Sequence, residues 1–398
     1  MTETPLFPVT VVGSMPREPW LIAALRKRQT GEISAEEFNE VADRAVLETI
    51  RLQEEAGVDI LTDGEQRRDN FYSFVVEKLS GMRLMKVSEL MDYMKDRARY
   101  EEVLRALDVP AFAIKSPIVV ERLREKNGLA LDEMDFLKKH TKRQIKIPLP
   151  GPYMLTRSSW FEGLSDKVYA SPEDLSRDVV AILRKEVLAL KERGADFIQF
   201  DEPILSQIVY GAESTETFMC AALPNRRDPV EELELAVRLM NETVEGIDGV
   251  RFGVHVCRGN WSRREEVLLK GNYGPMLPYL MQMNIQQLVL EFATPRAGEL
   301  EVFKEYDDEK EIGLGVVNPR TDEIEPPEQI VARVKQLAKF YDPEKIFLNP
   351  DCGFGTFAER NVNTNETAKK KLATIAAAAQ QLRREFQRKG SQAARQRV

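Results

Sequence analysis

Eight short β-prone runs alternate along the chain with longer amphipathic stretches, and this alternation limits the fold more than any other feature. The runs are TVVGS (10–14), VDILTDGE (58–65), QIKIPLPGP (144–152), ADFIQFDEP (195–203), RFGVHVC (251–257), IQQLVLEF (285–292), EIGLGVV (311–317) and KIFLNPDCG (345–353). Between them lie helical patterns at Ser34–Gly57, Pro172–Gly194, Pro229–Gly246, Pro326–Tyr341 and Thr364–Gln387. Several open on a capping residue or proline and close at glycine, as helices do. Near-continuous apolar strands joined by helical crossovers describe a parallel sheet covered on both faces. Eight such units predict an α/β fold closed as a (β/α)8 TIM barrel, in preference to an open sheet. A single barrel domain is expected over residues 1–382.

Two stretches break the alternation. Phe71–Thr141 is too long for a plain crossover, and it holds apolar runs around AFAIKSPIVV (111–120) and a helical pattern at Leu131–His140. It reads as an insertion after the second strand, near the barrel mouth, with an extra hairpin. Residues 383–398 are basic and rich in Gln, Ser and Ala, and are expected to form a flexible tail. The 43% apolar and 31% charged content is that of an ordinary soluble globular protein. A net charge of −8 argues against a nucleic-acid surface. No apolar run is long enough to span a membrane and residues 1–8 carry no signal-peptide pattern, so a cytoplasmic protein is expected. The three cysteines, at 220, 257 and 352, make no disulfide framework and read as thiols or metal ligands.

In a barrel the C-terminal strand ends form the active face, and here the runs end at Ser14, Glu65, Asp201, Cys257, Glu291 and Cys352. Two of the three cysteines and one of the two histidines fall there, in GVHVC (253–257) and NPDCGFG (349–355), with LVLEF (288–292) between them. His255, Cys257, Glu291 and Cys352 make a Cys2HisGlu donor set suited to zinc. Structural zinc sites draw their ligands from close knuckles, whereas ligands dispersed over separate strand ends suit a catalytic metal. The competing readings are unrelated core residues and, for Glu291, a surface salt-bridge partner. Cys220 lies outside every motif and reads as an ordinary thiol.

VVGS (11–14), DGEQRRDNF (63–71), LPGP (149–152), IQFDEP (198–203), HVC (255–257), LVLEF (288–292) and PDCGFGT (350–356) together resemble the catalytic barrel of the cobalamin-independent methionine synthase family, in the family's order. Full-length members carry two barrels, and this chain resembles the catalytic one alone. The resemblance implies zinc on His255, Cys257, Glu291 and Cys352. It also implies homocysteine held by backbone at Gly13 and Ser14 and by the carboxylates of Glu65 and Asp201. Backbone amides suit a carboxylate and paired acids suit an ammonium. Two thiolates and a carboxylate would leave zinc electron-rich, and Glu291, the hardest ligand, is the natural one to yield to an incoming sulfur. For Glu65 and Asp201 the competing reading is helix capping or an ion pair at the barrel mouth.

The sequence departs from the family on the donor side. Ser158 stands where the pterin-stacking tryptophan falls, with Trp160 two positions on, and Arg320 stands where the proton-donating histidine falls. A guanidinium does not give up its proton, and His140 reads as a solvated residue on a charged helix. The expected function is therefore zinc-dependent methyl or alkyl transfer to a thiol, most simply homocysteine. The donor would be methylcobalamin, free or on a corrinoid protein, or another small methyl or alkyl donor, in place of polyglutamyl methylfolate. An epoxide–thiol transferase of the coenzyme M type is the alternative within the superfamily, with Arg320 as the catalytic group steadying an alkoxide. A non-catalytic zinc or methionine-sensing protein, and a metal-free barrel resembling uroporphyrinogen decarboxylase, are the alternatives of other classes. The last has no need of His-x-Cys.

Overall fold

The computed structural model describes residues 4–90, 93, 115–210, 228–306 and 310–395. Seven strands form one parallel sheet: β1 (Ile60–Leu61), β4 (Gln144–Pro150), β5 (Phe197–Asp201), β6 (Arg251–Val256), β7 (Gln287–Leu290), β8 (Glu311–Val317) and β9 (Ile346–Pro350), in that order across the sheet. The first run supplies the eighth stave. Val9 bridges Leu348 of β9 and Thr10 bridges Ile60 of β1, both parallel, and the barrel closes as expected. Only these two residues of the first stave pair, fewer than the run TVVGS promises. The backbone oxygens beyond them are taken from inside the barrel: Lys146 Nζ donates to Val11 O (2.8 Å) and Gln199 Nε2 donates to Val12 O (2.8 Å).

The helices pack outside, and their ends follow local chemistry. Ser34 and Glu37 form a reciprocal capping box at the start of Ala35–Ala56, and Gly57, at φ 87°, closes it. Ser171 caps Pro172–Glu192. The main apolar core lies between this helical ring and the sheet, whereas Val12, Phe197 and Val289, from three different staves, make a separate cluster inside the barrel. Between β1 and β4, β2 (Leu79–Lys86) and β3 (Lys115–Glu125) form an antiparallel hairpin, followed by the helix Leu131–His140. Residues 94–114 of the stretch read as an insertion, and Cys220, lie outside the described residues.

The C-terminus differs from expectation. The last helix runs Asn365–Arg395, so the stretch read as a flexible tail from residue 383 is helical through Arg395. Arg383 Nε donates to Leu6 O (2.6 Å), its other nitrogen pairs with Asp59 (2.6 Å), and Phe386 meets Phe7 edge-on at 5.1 Å. The apolar spacing Ile375, Ala379, Leu382, Phe386 carries the helical stripe past the boundary that composition suggested. Among the described residues no helix is long and apolar enough to cross a membrane.

Candidate metal centre and substrate pocket

β6 sets His255 beside Asp201 of β5 on one side and Val289 of β7 on the other. Cys257 follows the end of β6 and Cys352 follows the end of β9. The donor atoms of His255, Cys257 and Cys352 lie within 4.8 Å of one another. His255 Nδ1 sits 3.0 Å from Val289 O. A carbonyl only accepts, so Nδ1 carries the hydrogen and Nε2 is the nitrogen left for a metal. Nε2 is buried and has no hydrogen-bond partner. An orphaned imidazole nitrogen beside two sulfurs is the donor set of a soft or borderline divalent ion, and zinc fits it.

The three groups share charge unevenly. The Cys352 thiol, donating to Cys257, holds the Cys257 thiol well below its ordinary range, and His255 adds to the effect. The same contact and burial push Cys352 well above its range. Burial works against an imidazolium at His255, but the Cys257 sulfur and the Asp201 charge outweigh it and hold the group up at about 9. Without metal these interactions favour a thiolate at Cys257 and a retained proton on His255 and on Cys352.

Glu291, the fourth expected ligand, is fully buried just past β7, which removes the surface reading. Its carboxylate lies outside the three-atom group. Oε2 accepts from Arg258 N (3.0 Å) and Asn260 Nδ2 (2.9 Å), and Oε1 accepts from Arg296 (3.0 Å). Burial would raise its pKa, but Arg296 and Arg258 prevail and hold it low. Asp351 Oδ1 accepts from the amides of Phe292 and Ala293 (2.9 and 2.8 Å) and pins the turn that carries Glu291. Arg320 donates through Nε to Asn260 Oδ1 (2.9 Å) and pairs with Glu265 (2.6 Å). It stands behind Asn260 and is not among the residues lining the pocket.

A pocket opens against the cluster. Gly13, Ser14, Glu65 and Asp201, the expected amino-acid residues, all line it together with His255, Cys257 and Cys352. Glu65 adopts a left-handed conformation, φ 54°, held by its own amide on Asp63 Oδ1 (2.8 Å) and by Arg17 on its carbonyl (2.7 Å). Glu65 Oε2 is buried without a partner. Burial, against the pull of Arg68, raises Glu65 to about 8, and burial, against His255, raises Asp201 to about 6. Two buried acids with a spare oxygen form a seat for a cation. Close approach demands both glycines: a Cβ on Gly13 would stand 2.5 Å from Glu65 Oε1, and one on Gly353 would stand 2.1 Å from Ser14 Oγ.

Asn260, Trp261, Phe71 and Phe357 also line the pocket, and Arg258 and Arg296 anchor Glu291 from behind. Sequence reasoning missed these roles. The one signal was the polar and aromatic RGNW directly after the His-x-Cys strand end. Ser158 is buried in the helix Pro152–Ser159, donates to Met154 O (2.7 Å) and does not line the pocket. His140 is exposed and stacks on Phe136 at 4.3 Å.

Residues 7–381 match the family model described as the catalytic domain of the cobalamin-independent synthases. The methionine synthase of Sulfurisphaera tokodaii is 32% identical over 354 residues, covering 89% of this chain and 87% of its own. That of Pyrococcus horikoshii is 30% identical over 389 residues, covering 98% and 96%. Among solved structures, a B12-independent methionine synthase from Shewanella matches with a TM-score of 0.71 over 96% of this chain and 99% of that one, at 22% identity, a likeness of fold. On the extent of the family match and the shared length of its relatives, the chain belongs to the cobalamin-independent synthase family, whose catalytic domain it matches across the whole barrel.

Proposed function

We propose that the protein is a zinc-dependent methyltransferase that converts homocysteine to methionine with a donor other than polyglutamyl methylfolate. The observation that carries this reading is the convergence of His255, Cys257 and Cys352 in the lining of one pocket that also holds Glu65 and Asp201. His255, Cys257 and Cys352 would hold the metal, with Glu291 close behind as the fourth ligand. Zinc there would supply the positive charge that keeps an incoming thiol ionised at neutral pH. Asp201 and Glu65 take the ammonium of the amino acid, and the backbone at Gly13 and Ser14 takes its carboxylate. The thiolate sulfur attacks the methyl carbon in line. A carbon–sulfur bond forms as the donor departs with the electrons of its own bond to that carbon.

The chain's own residues also bear on the donor. The only other histidine, His140, is exposed at the end of its helix and does not line the pocket, and Arg320 reaches Asn260 without entering the pocket. No side chain of this set protonates the nitrogen of a folate. Phe71, Trp261 and Phe357 give the pocket an apolar side that excludes water and suits a flat donor. Methylcobalamin, free or on a corrinoid protein, departs without needing a proton, which fits the lack of an acid among these side chains. A cytoplasmic setting, where thiols stay reduced, suits the cysteine ligands.

The test is a side-by-side assay of the zinc-loaded protein with homocysteine and equal concentrations of methylcobalamin or methyltetrahydrofolate, with methionine quantified. Loss of one proton-transfer group costs on the order of 10²–10⁴ in rate, so the folate should be slower by about that factor. Equal rates would sink the donor assignment. No methionine from either donor would sink the transferase reading.

A further inference from the structure

We propose that Lys146 is a positioning residue for the substrate ammonium, acting through Gln199 on Asp201. This rests on the reading of Asp201 as a seat for the homocysteine ammonium, and it assigns a task to a side chain deep inside the barrel that is not part of the pocket lining. Lys146 is wholly buried on β4, where a lysine is costly unless its hydrogen bonds are satisfied. Its Nζ donates to Val11 O (2.8 Å) and to Gln199 Oε1 (3.1 Å), and it lies 4.6 Å from the centre of the Phe197 ring.

The orientation of the Gln199 amide follows from its neighbours. Val12 O can only accept, so the Gln199 atom 2.8 Å away is the nitrogen, and the second hydrogen of that nitrogen goes to Asp201 Oδ1 at 2.8 Å. The Gln199 oxygen then faces the barrel interior, where it needs a donor, and Lys146 is that donor. The three side chains form one line of hydrogen bonds from the barrel interior to the pocket wall. With Oδ1 held from below, the Asp201 carboxylate is fixed beside His255 at the pocket surface. Burial lowers the Lys146 pKa to about 7, and the charge of Asp201 is what opposes that fall. A leucine or methionine at 146 would fill the barrel without this cost, and it would leave the Gln199 oxygen and Val11 O without the donor they have now.

The experiment is calorimetric binding of two thiols to the zinc-loaded protein, one with the ammonium (homocysteine) and one without it (γ-mercaptobutyrate), in wild type and Lys146→Met. The expected result is a dissociation constant for homocysteine raised about tenfold, with that of γ-mercaptobutyrate and the zinc content unchanged. Gln199→Glu is the second variant. It keeps an acceptor for Lys146 but removes the donor to Asp201, and should give the same selective loss if Lys146→Met does not fold. Equal weakening of both thiols would show a structural role alone and overturn the proposal, as would homocysteine binding unchanged in either folded variant. A wild-type protein that binds both thiols equally would instead overturn the ammonium reading of Asp201, and the role of Lys146 with it.

Discussion

At His255 a proton and a metal compete for one nitrogen. Val289 fixes the hydrogen on Nδ1, and the Cys257 sulfur and Asp201 keep the second proton on Nε2 up to about 9 against the opposing effect of burial. Cys352 holds its proton to still higher pH, whereas Cys257 has already lost its own. A metal needs all three groups deprotonated, so zinc uptake at pH 7 should release about two protons. Both retained protons sit on groups with raised pKa, so zinc affinity should climb with pH and continue to climb to at least about 9. Calorimetry in buffers of different ionisation enthalpy measures this directly, and a release near zero would mean other ligands. Glu291 invites a different substitution. Glu291→Gln would leave the buried Arg296 with only the more distant, half-exposed Glu265 (3.7 Å) as counter-charge and should cost about 3 kcal/mol in urea unfolding of the metal-free protein; a cost under about 1 kcal/mol would show that the pair contributes little. The cluster was legible because histidine and cysteine are scarce in this chain and fall at strand ends. Arg296 and Asn260 were not, because arginine and asparagine are common residues and only the loop geometry after β6 and β7 tells these two apart.

The elements that carry the pocket are the turns after the staves. The turn after β1 forces Glu65 into a left-handed conformation, and its carboxylate then rests against Gly13 on the first stave. Gly13 does not need a positive φ, so an alanine there meets no backbone obstacle; its Cβ would meet the Glu65 oxygen at 2.5 Å and press more lightly on Pro148 Cγ at 3.3 Å. Gly13→Ala should therefore displace that carboxylate and weaken homocysteine binding about tenfold, with zinc content and melting temperature little changed. A variant that binds homocysteine as wild type does would take Glu65 out of the ammonium site. Strand identity was readable from the apolar runs, since a buried parallel stave has little else to show. Strand length was not. The first stave stops pairing at Thr10 because Lys146 and Gln199, more than 130 positions along the chain, claim its next two carbonyls. No window of local sequence contains that competition.

Across the whole molecule, barrel closure depends on the two ends of the chain. The stave at residues 9 and 10 is held by two single bridges, a thin seam between β1 and β9. The C-terminal helix reinforces it from outside: Arg383 binds Leu6 O, Phe7 O and Asp59, and Asp59 Oδ2 in turn accepts the amide of Val9. Eight runs announced a closed barrel, but composition placed the domain end at residue 382, just short of this clamp. Partners more than 320 positions away leave no local trace in a basic, Gln- and Ala-rich segment. The clamp predicts an asymmetry between two truncations. A chain ended after Leu382 loses Arg383 and Phe386, leaves Asp59 without its cation and uncovers Phe7. It should lose about 2–4 kcal/mol of stability, from several hydrogen bonds and one aromatic contact. A chain ended after Gln387 keeps all of these contacts and should melt above it by several degrees. Because the first stave also carries Gly13 and Ser14 to the pocket, the shorter chain should bind homocysteine more weakly at temperatures below its own melting point. Equal melting temperatures for the two truncations would mean that the seam holds without the helix, and that barrel closure resides in the sheet alone.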